Sequence, residues 1–193
     1  KRLVDRLSEL PSIGPRQATR IAFYLASTGR GRLTGTADAL SALKNIKTCA
    51  RCFSIFEGEG DLCEICKNPA RDQAVIMILE KETDLISLEN TGQYAGRYLV
   101  LGPMPKTGLL ESWQKERLDD LKSFVKKELG GAAKEIILAL NPTSLGDFHA
   151  SLLIKELAGL APKISRLGRG LPTGGEIEFA DDETLGSALE GRN

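Results

Sequence analysis

All four cysteines of this chain lie in one short segment, CARCFSIFEGEGDLCEIC at 49–66. They form two Cys-x-x-Cys pairs, Cys49 with Cys52 and Cys63 with Cys66, separated by ten residues. Four thiolates at this spacing can converge on one tetrahedral metal ion, usually zinc. Because sulfur would fill every position, such an ion would organise structure rather than activate water. Two disulfides, free thiols or an iron centre are the alternatives, and a reducing cytoplasm disfavours the disulfides.

The composition is that of a globular chain of one or two domains. Its 193 residues are 41% hydrophobic and 27% charged, and a chain of this size can form a main core without cross-links. The sequence contains no run of 18 or more apolar residues, and its first residues, KRLVDRL, do not have the apolar centre of a signal peptide. We therefore expect a cytoplasmic protein with no membrane partner.

The charges are unevenly distributed along a chain whose formal net charge is zero. Residues 1–48 contain nine Lys and Arg against three Asp and Glu, so this part carries +6 and the remainder carries −6. A basic segment on a neutral chain predicts a localised binding site for a polyanion.

A sharp turn separates two amphipathic segments near the N-terminus. The sequence PSIGP at 11–15 interrupts an apolar stripe of helical spacing, and Pro15 suits the first position of a second helix. Free amides at that helix N-terminus would bind phosphate, with Gly14 allowing close approach and with Arg16 and Arg20 one turn apart on one face. The pattern predicts a helix-hairpin-helix that binds the DNA backbone without reading bases. A plain helical hairpin with solvated arginines is the alternative.

Beyond residue 73, short apolar runs alternate with amphipathic segments. Strands are predicted at AVIMIL (74–79), YLVLG (98–102), EIILAL (135–140) and KISRLG (163–168). This β-α-β succession predicts an α/β fold with a mostly parallel sheet and helices on both faces. In such folds, functional groups collect at the carboxyl ends of the strands.

Three carboxylates follow these predicted strands. Glu80 comes directly after the first strand, Asp84 lies at the start of the next helix, and Asp147 lies in NPTSLGD after the third strand. Converging carboxylates could bind Mg²⁺. The alternative is that they cap helices or are solvated, since the helix dipole alone favours Asp in a first turn.

Taken together, these motifs resemble the RecR family of bacterial recombination mediators. The resemblance rests on LPSIGPRQATRIAFYL, the cysteine pairs, TGQYAGRYLVL, EIILALNPT and RLGRGLPTGGEIEFADDETLGSALEGR, in this order. It covers essentially the whole chain, and the C-terminal block is its most specific part. It implies a helix-hairpin-helix region at 1–48, a four-cysteine zinc finger at 49–66, a Toprim domain at 73–168, and a C-terminal strand and helix at 169–193 that join the oligomer.

The resemblance also implies a function. RecR proteins are not known as enzymes. They assemble as homodimers and homotetrameric rings that clamp DNA, and they act with RecO and RecF to load the recombinase RecA at single-stranded gaps. The chain is therefore expected to bind single- and double-stranded DNA independently of sequence, in the bacterial cytoplasm and at the nucleoid during repair.

Functional residues of the family fall on matching positions of this chain. The resemblance implies DNA contacts from the hairpin of Gly14 and from Arg16 and Arg20, and contacts with RecO from Glu80 and Asp84. It implies that one structural Zn²⁺ per chain is bound by Cys49, Cys52, Cys63 and Cys66.

The chain also departs from the family pattern at three places. Ser12 stands where the hairpin usually has a second glycine, and GPMPKTGLLESW replaces the usual Gly- and Pro-rich loop after the second strand. Leu145 stands where the NPT segment usually has a glutamate, which leaves Asp147 as the acid of that partner surface.

A Mg²⁺-dependent nucleic-acid enzyme is the second hypothesis. Toprim nucleases, primases and topoisomerases resemble this domain, but they pair a glutamate after the first strand with Asp-x-Asp after the third to bind metal. Here that position reads Asn141-Pro142-Thr143, so one side of the metal site is absent and catalysis is not expected. A protein-interaction scaffold is the third hypothesis, and it predicts no salt-dependent DNA binding.

Overall fold

The computed structural model describes residues 1–192, and the chain divides into two compact units with the boundary after Ile46. The first unit is helical. Its elements are α1 (Arg2–Ser8), α2 (Pro15–Ser27), α3 (Arg30–Ala42) and a 3₁₀ turn at Leu43–Asn45. Helix α1 packs on α2, and Ala18 of α2 is completely buried.

The second unit begins with the cysteine segment (residues 49–66) and continues into a parallel sheet. The small elements are β1 (Lys47–Thr48), its antiparallel partner β2 (Ile55–Phe56) and α4 (Glu64–Lys67). The larger ones are β3 (Asp72–Leu79), α5 (Glu82–Glu89), β4 (Gly96–Val100), α6 (Ser112–Glu128), β5 (Glu135–Ala139), α7 (Ser144–Glu156), β6 (Ile164–Arg166) and α8 (Asp182–Glu190).

The sheet has strand order β4-β3-β5-β6, and all of its strand pairs are parallel. Alternate residues of β3 enter two different hydrophobic clusters, as the period of a strand requires. Ile76 and Ile78 join the cluster that contains α6 and α7, whereas Met77 and Leu79 join the cluster that contains Leu85 of α5 and the four cysteines. Helices therefore cover both faces, which confirms the predicted α/β architecture.

The cysteine segment covers the outer edge of the sheet. Strand β4 is an edge strand, and the Val100 amide donates a hydrogen bond of 2.8 Å to the Cys52 carbonyl. The segment thus provides a partner for an edge that would otherwise have unpaired backbone groups.

The strand predicted in the C-terminal region does not form in this chain. Residues Ile177–Phe179 of EIEFAD form a 3₁₀ turn, while the helix expected after them is present as α8. A strand requires a neighbouring strand for its backbone hydrogen bonds, and within residues 1–192 this segment pairs with none. Its side chains Ile177 and Phe179 are mostly exposed.

Across residues 1–192, no helix combines the length and the apolar composition that crossing a bilayer requires.

Candidate metal centre and nucleic-acid interface

The four cysteines of the second unit form a compact cluster of sulfur atoms. Their Sγ atoms all lie within 4.8 Å of one another, and Cys52 Sγ lies 3.6 Å from Cys63 Sγ. In a tetrahedral site with Zn–S bonds of about 2.3 Å, neighbouring sulfurs lie about 3.8 Å apart. The arrangement therefore fits a four-coordinate zinc ion, and these cysteines are the residues that could hold it.

The electrostatics of the cluster favour a cation among the sulfurs. Hydrogen bonds from Cys52 and Cys66 lower the pKa of the Cys63 thiol, whereas its hydrogen bond with Cys63 raises the pKa of Cys52 to about 12. Hydrogen bonding to Cys52 and Cys63, together with burial, raises the pKa of Cys66. Without an ion, one thiolate is thus stabilised by two thiols that stay protonated, and a divalent cation would take the place of those protons when it binds.

Residues next to the ligands fix the cluster in place. The Cys63 amide donates to Cys49 Sγ at 3.3 Å, and Cys52 Sγ lies 3.0 Å from Ser54 Oγ. Phe53, which follows the second ligand, has a φ of 60° and packs against the main sheet cluster. Because a non-glycine residue rarely adopts positive φ, its packing must offset the backbone strain.

Three arginines contact the cysteine segment, and the sequence motifs did not single them out. Arg51 Nη1 donates to the Cys66 carbonyl at 3.2 Å, and Arg97 Nη2 donates to the Arg51 carbonyl at 2.8 Å. Arg117 lies over the ring of Phe53, with 4.9 Å between Cζ and the ring centroid. Arg51 could have been noticed because it lies inside the first Cys-x-x-Cys pair, but Arg97 and Arg117 are brought there by the fold.

The predicted DNA-binding residues lie in the first unit, where α2 begins. Gly14 is the N-cap residue, Pro15 is the first helical residue, and the first helical hydrogen bond runs from the Ala18 amide to the Gly14 carbonyl at 2.9 Å. The amides of Arg16 and Gln17 precede that bond, so they can donate to a ligand.

Two cations lie immediately behind these amides. The side chains of Arg16 and Arg20 are exposed, and within residues 1–192 neither has a carboxylate at ion-pair distance. Their spacing of four residues places them on one face of α2. The end of this helix therefore combines exposed amides with two unneutralised positive charges.

The conformation of the turn differs from the expectation in one respect. Gly14 has a φ of −80°, which any residue can adopt, and a Cβ atom there would meet no protein atom within 4 Å. The left-handed position is Ser12, with a φ of 65°. The family's usual second glycine would suit this position, because glycine has no Cβ penalty in this region.

The three candidate carboxylates lie near the carboxyl edge of the sheet but have different partners. Glu80 is buried, and its Oε1 accepts a hydrogen bond of 3.1 Å from the Asn141 amide. Asp84 accepts from the Lys81 amide at 3.1 Å and so caps α5. Asp147 Oδ1 pairs with Arg166 at 2.6 Å and also with Arg169.

These partners limit what the carboxylates can do. The two guanidinium groups hold the pKa of Asp147 below its ordinary value of 3.8, so this carboxylate is ionised at neutral pH. Its negative charge is balanced by the two arginines. Among residues 1–192, the four cysteines are the one set of three or more potential ligands that converge closely enough for a metal ion. A cavity of about 310 Å³ next to Glu80 is also lined by Asn141, Thr143 and Leu145, none of which offers the carboxylate oxygens that a Mg²⁺ site prefers.

Comparison with known families assigns most of the chain. Residues 1–44 match the RecR helix-hairpin-helix, residues 74–168 match the Toprim domain, and residues 170–193 match the RecR C-terminal region.

Full-length relatives agree with these matches. The recombination protein RecR of Roseiflexus sp. (strain RS-1) is 43% identical, over 99% of this chain and 91% of its own length. The RecR proteins of Rubrobacter xylanophilus and Frankia alni are 40% and 38% identical, over 100% and 98% of this chain and 94% of each relative. Together with the Toprim sheet and the helical N-terminal region, these matches establish that the chain belongs to the RecR family of recombination proteins.

Proposed function

We propose that this protein is a non-enzymatic, DNA-binding mediator of recombination in DNA repair. The observation that carries the proposal is the N-terminus of α2, where the Arg16 and Gln17 amides and the exposed side chains of Arg16 and Arg20 are available to phosphate. Phosphate contacts of this kind give affinity without sequence preference. The DNA can therefore be single- or double-stranded.

The metal in the proposal is one structural zinc ion per chain, bound by the four cysteines. The sulfur cluster supports it, because its dimensions fit a closed tetrahedral site and its residues are almost fully buried. When bound, zinc supplies cross-linking of the cysteine segment and no reaction chemistry. The protein's own contribution is to hold that segment on the edge of β4.

Oligomer formation is part of the proposal. One helix-hairpin-helix offers few phosphate contacts, and linking several can raise affinity by about 10²–10⁴-fold. Large apolar side chains remain exposed on both units, among them Phe23 (72%) and Phe179 (79%). Exposed apolar side chains of this kind support a homodimer or a homotetrameric ring, with the C-terminal region contributing contacts.

Protein partners would direct this DNA binding. Asp84 and Asp147 lie near the carboxyl edge of the sheet, with Glu80 buried beside Asn141. We propose this edge, including these three acids, as the contact for RecO, acting with RecF to load RecA at single-stranded gaps. Cytoplasmic location, with association with the nucleoid during repair, follows from that role.

The proposed role does not include catalysis. Each of the three carboxylates already has a backbone or arginine partner, and Asn141 and Thr143 replace the second pair of acids in a Toprim metal site. A metal-dependent phosphoryl transfer would require several oxygen ligands to converge at that edge.

The experiment that tests the function compares binding of the full chain to closed circular and linear DNA. Retention after a high-salt wash is measured on both, using two unrelated sequences of the same length. A ring-shaped mediator is retained on circles, dissociates from linear ends and does not distinguish the sequences. Failure to bind DNA at low salt would contradict the proposal, and equal loss from circles and linear DNA would contradict the ring.

A further inference from the structure

Arg97 of β4 is a buried cation that the DNA-binding role does not use. The residue is 5% exposed, and its guanidinium lies 3.8 Å above the ring centroid of Phe124 in α6. Its Nη2 donates to the Arg51 carbonyl, but its buried Nε and Nη1 atoms have no hydrogen-bond partner among residues 1–192. A buried charge with unmet hydrogen bonds is costly unless a nearby charge of opposite sign offsets it.

No carboxylate provides that opposite charge. Within residues 1–192, none lies at ion-pair distance from Arg97. Burial lowers the pKa of Arg97 to about 10, because a cation removed from water loses the stabilisation that hydration gives it. Asp120 and Glu128 line the same cavity of about 360 Å³ as Arg97, but neither lies at ion-pair distance from it, whereas Arg97 is hydrogen-bonded to the cysteine segment itself through the Arg51 carbonyl. The cysteine cluster is therefore the anionic group to which the fold connects Arg97.

The charge of a loaded cluster has the required sign. A divalent ion bound by four thiolates has a net charge of −2, and this charge is buried with its ligands. We propose that Arg97 is the buried counter-cation of the four-cysteine metal centre and that it increases the affinity of the cluster for a divalent metal. The proposal rests on the metal site of the proposed function.

A chain of hydrogen bonds joins Arg97 to the ligands. Arg97 donates to the Arg51 carbonyl, and Arg51 in turn donates to the carbonyl of the ligand Cys66 at 3.2 Å. Arg97 thus also holds the loop between Cys49 and Cys52. Groups that hold metal ligands in this way typically change metal affinity by about 10–100-fold when they are removed.

Stacking on Phe124 is the competing explanation, in which Arg97 only fills space between β4 and α6. The two explanations differ in what lysine does at this position. Lysine keeps the positive charge but loses the planar group that stacks, whereas glutamine keeps polarity and loses the charge.

The experiment uses the full chain with Arg97→Lys, Arg97→Gln and Lys127→Gln as the control. Lys127 lines the same cavity as Arg97 and Phe124 but is exposed, so its replacement removes a nearby charge without changing the buried one. Zinc affinity is measured by competition with a chromogenic chelator. The absorption spectrum of Co²⁺-loaded protein reports the sulfur-to-metal charge transfer.

The inference predicts that Arg97→Gln loses about tenfold or more in zinc affinity and shifts the charge-transfer band to longer wavelength, because the sulfurs become better electron donors. Arg97→Lys and Lys127→Gln should remain close to wild type. If Arg97→Gln folds only with excess zinc while Arg97→Lys folds normally, the inference is also supported.

Equal affinity and spectrum in wild type and Arg97→Gln would overturn the inference, as would Arg97→Lys losing as much affinity as Arg97→Gln. A wild-type chain that binds no zinc would instead contradict the metal site of the proposed function, so the two failures are distinguishable.

Discussion

At the scale of single residues, the turn before α2 combines a strained residue with an unstrained glycine. Ser12 adopts the left-handed conformation, and Gly14, two residues later, does not. For a residue with a Cβ atom this conformation costs roughly 1–2 kcal/mol. The strain is stored close to the residues that we assign to phosphate binding.

Replacing Ser12 by glycine should therefore stabilise the first unit. The relief of strain is partly cancelled by the greater freedom of glycine in the unfolded chain, so the expected gain is about 0.5–1 kcal/mol. Denaturant unfolding followed by helical circular dichroism measures the change. Ser12→Ala is the control and should remain within about 0.5 kcal/mol of wild type, because it keeps the strain. A destabilised Ser12→Gly variant would show that the serine side chain, not the backbone, determines the turn.

The spacing of the cysteines made the candidate metal ligands predictable from the sequence, whereas the contact of Arg97 with the cysteine segment was not predictable. Two Cys-x-x-Cys pairs indicate a metal site whatever the rest of the chain does. Arg97 lies in the same segment as Tyr98 and Leu99, and nothing in that pattern indicates that it contacts Arg51, forty-six residues earlier in the sequence. A contact between residues so far apart in sequence forms only because β4, which contains Arg97, lies at the edge of the sheet next to the cysteine segment.

At the scale of elements, the cysteine segment and β4 form one hydrogen-bonded unit. The Val100 amide donates to the Cys52 carbonyl, and Arg117 Nη1 donates to the Val100 carbonyl at 2.7 Å. The segment has little apolar material of its own, so the metal is expected to stabilise its fold.

Removal of the metal with a chelator should therefore expose the edge of the sheet before its centre. Amide hydrogen exchange measured by NMR should accelerate at Val100, while amides of the central strand β3, such as Ile78, remain protected. Cys52→Ser should have the same effect without a chelator, and Glu57→Gln, which changes an exposed charge of the same segment, should not. Unchanged exchange at Val100 in the metal-free chain would contradict this coupling.

The C-terminal tail (residues 169–192) is held by ion pairs to α7. Asp147 binds Arg166 and Arg169, and Arg169 Nη1 also lies 3.0 Å from Glu183 Oε1 of α8. Since these partners lower the pKa of Asp147 in the folded chain, its contribution is present above pH 3.8 and is lost as the pH falls through the lowered value.

Asp147→Asn should loosen the tail at neutral pH. Proteolysis between residues 170 and 180 is expected to become severalfold faster at pH 7, with Glu116→Gln, an exposed charge on α6, as the control. The difference in unfolding free energy between Asp147→Asn and wild type should begin to shrink near pH 3.8, where the unfolded carboxyl group takes up its proton, and should vanish only when the pH is also below the lowered pKa of the native carboxylate. A tail cleaved at the wild-type rate would contradict the role of these ion pairs.

The sheet and the tail differ in how well the sequence predicted them. Apolar runs at 74–79, 98–102, 135–140 and 163–168 all correspond to strands, because each pairs with a neighbour in the same chain. EIEFAD has a similar alternation, yet Ile177–Phe179 form a 3₁₀ turn. Alternation describes the two faces of a strand and cannot supply its hydrogen-bonding partner.

At the scale of the whole molecule, we propose a protein that binds DNA without nicking or cleaving it. The acids at the carboxyl edge of the sheet have partners within the chain, and Asn141 and Thr143 stand where a Toprim metal site would have its second pair of acids. We propose that the helical first unit contacts DNA instead.

Incubation of the purified chain with Mg²⁺ should therefore leave supercoiled and single-stranded DNA intact. Gel electrophoresis measures nicking or cleavage, and Glu80→Gln should behave like wild type. Mg²⁺-dependent cleavage that disappears in Glu80→Gln would establish the Toprim enzyme as the correct function.

The claim that the protein binds DNA through the N-terminus of α2 is tested by the salt dependence of that binding. Fluorescence anisotropy gives the affinity of the full chain for two unrelated DNA sequences at several salt concentrations, for wild type and for Arg16→Ala with Arg20→Ala. The account predicts that the double variant binds both sequences more weakly to a similar extent, with a shallower slope of affinity against salt, because fewer phosphate charges are neutralised. Identical affinities and slopes for wild type and the double variant would contradict the claim that the protein binds DNA through this end of α2.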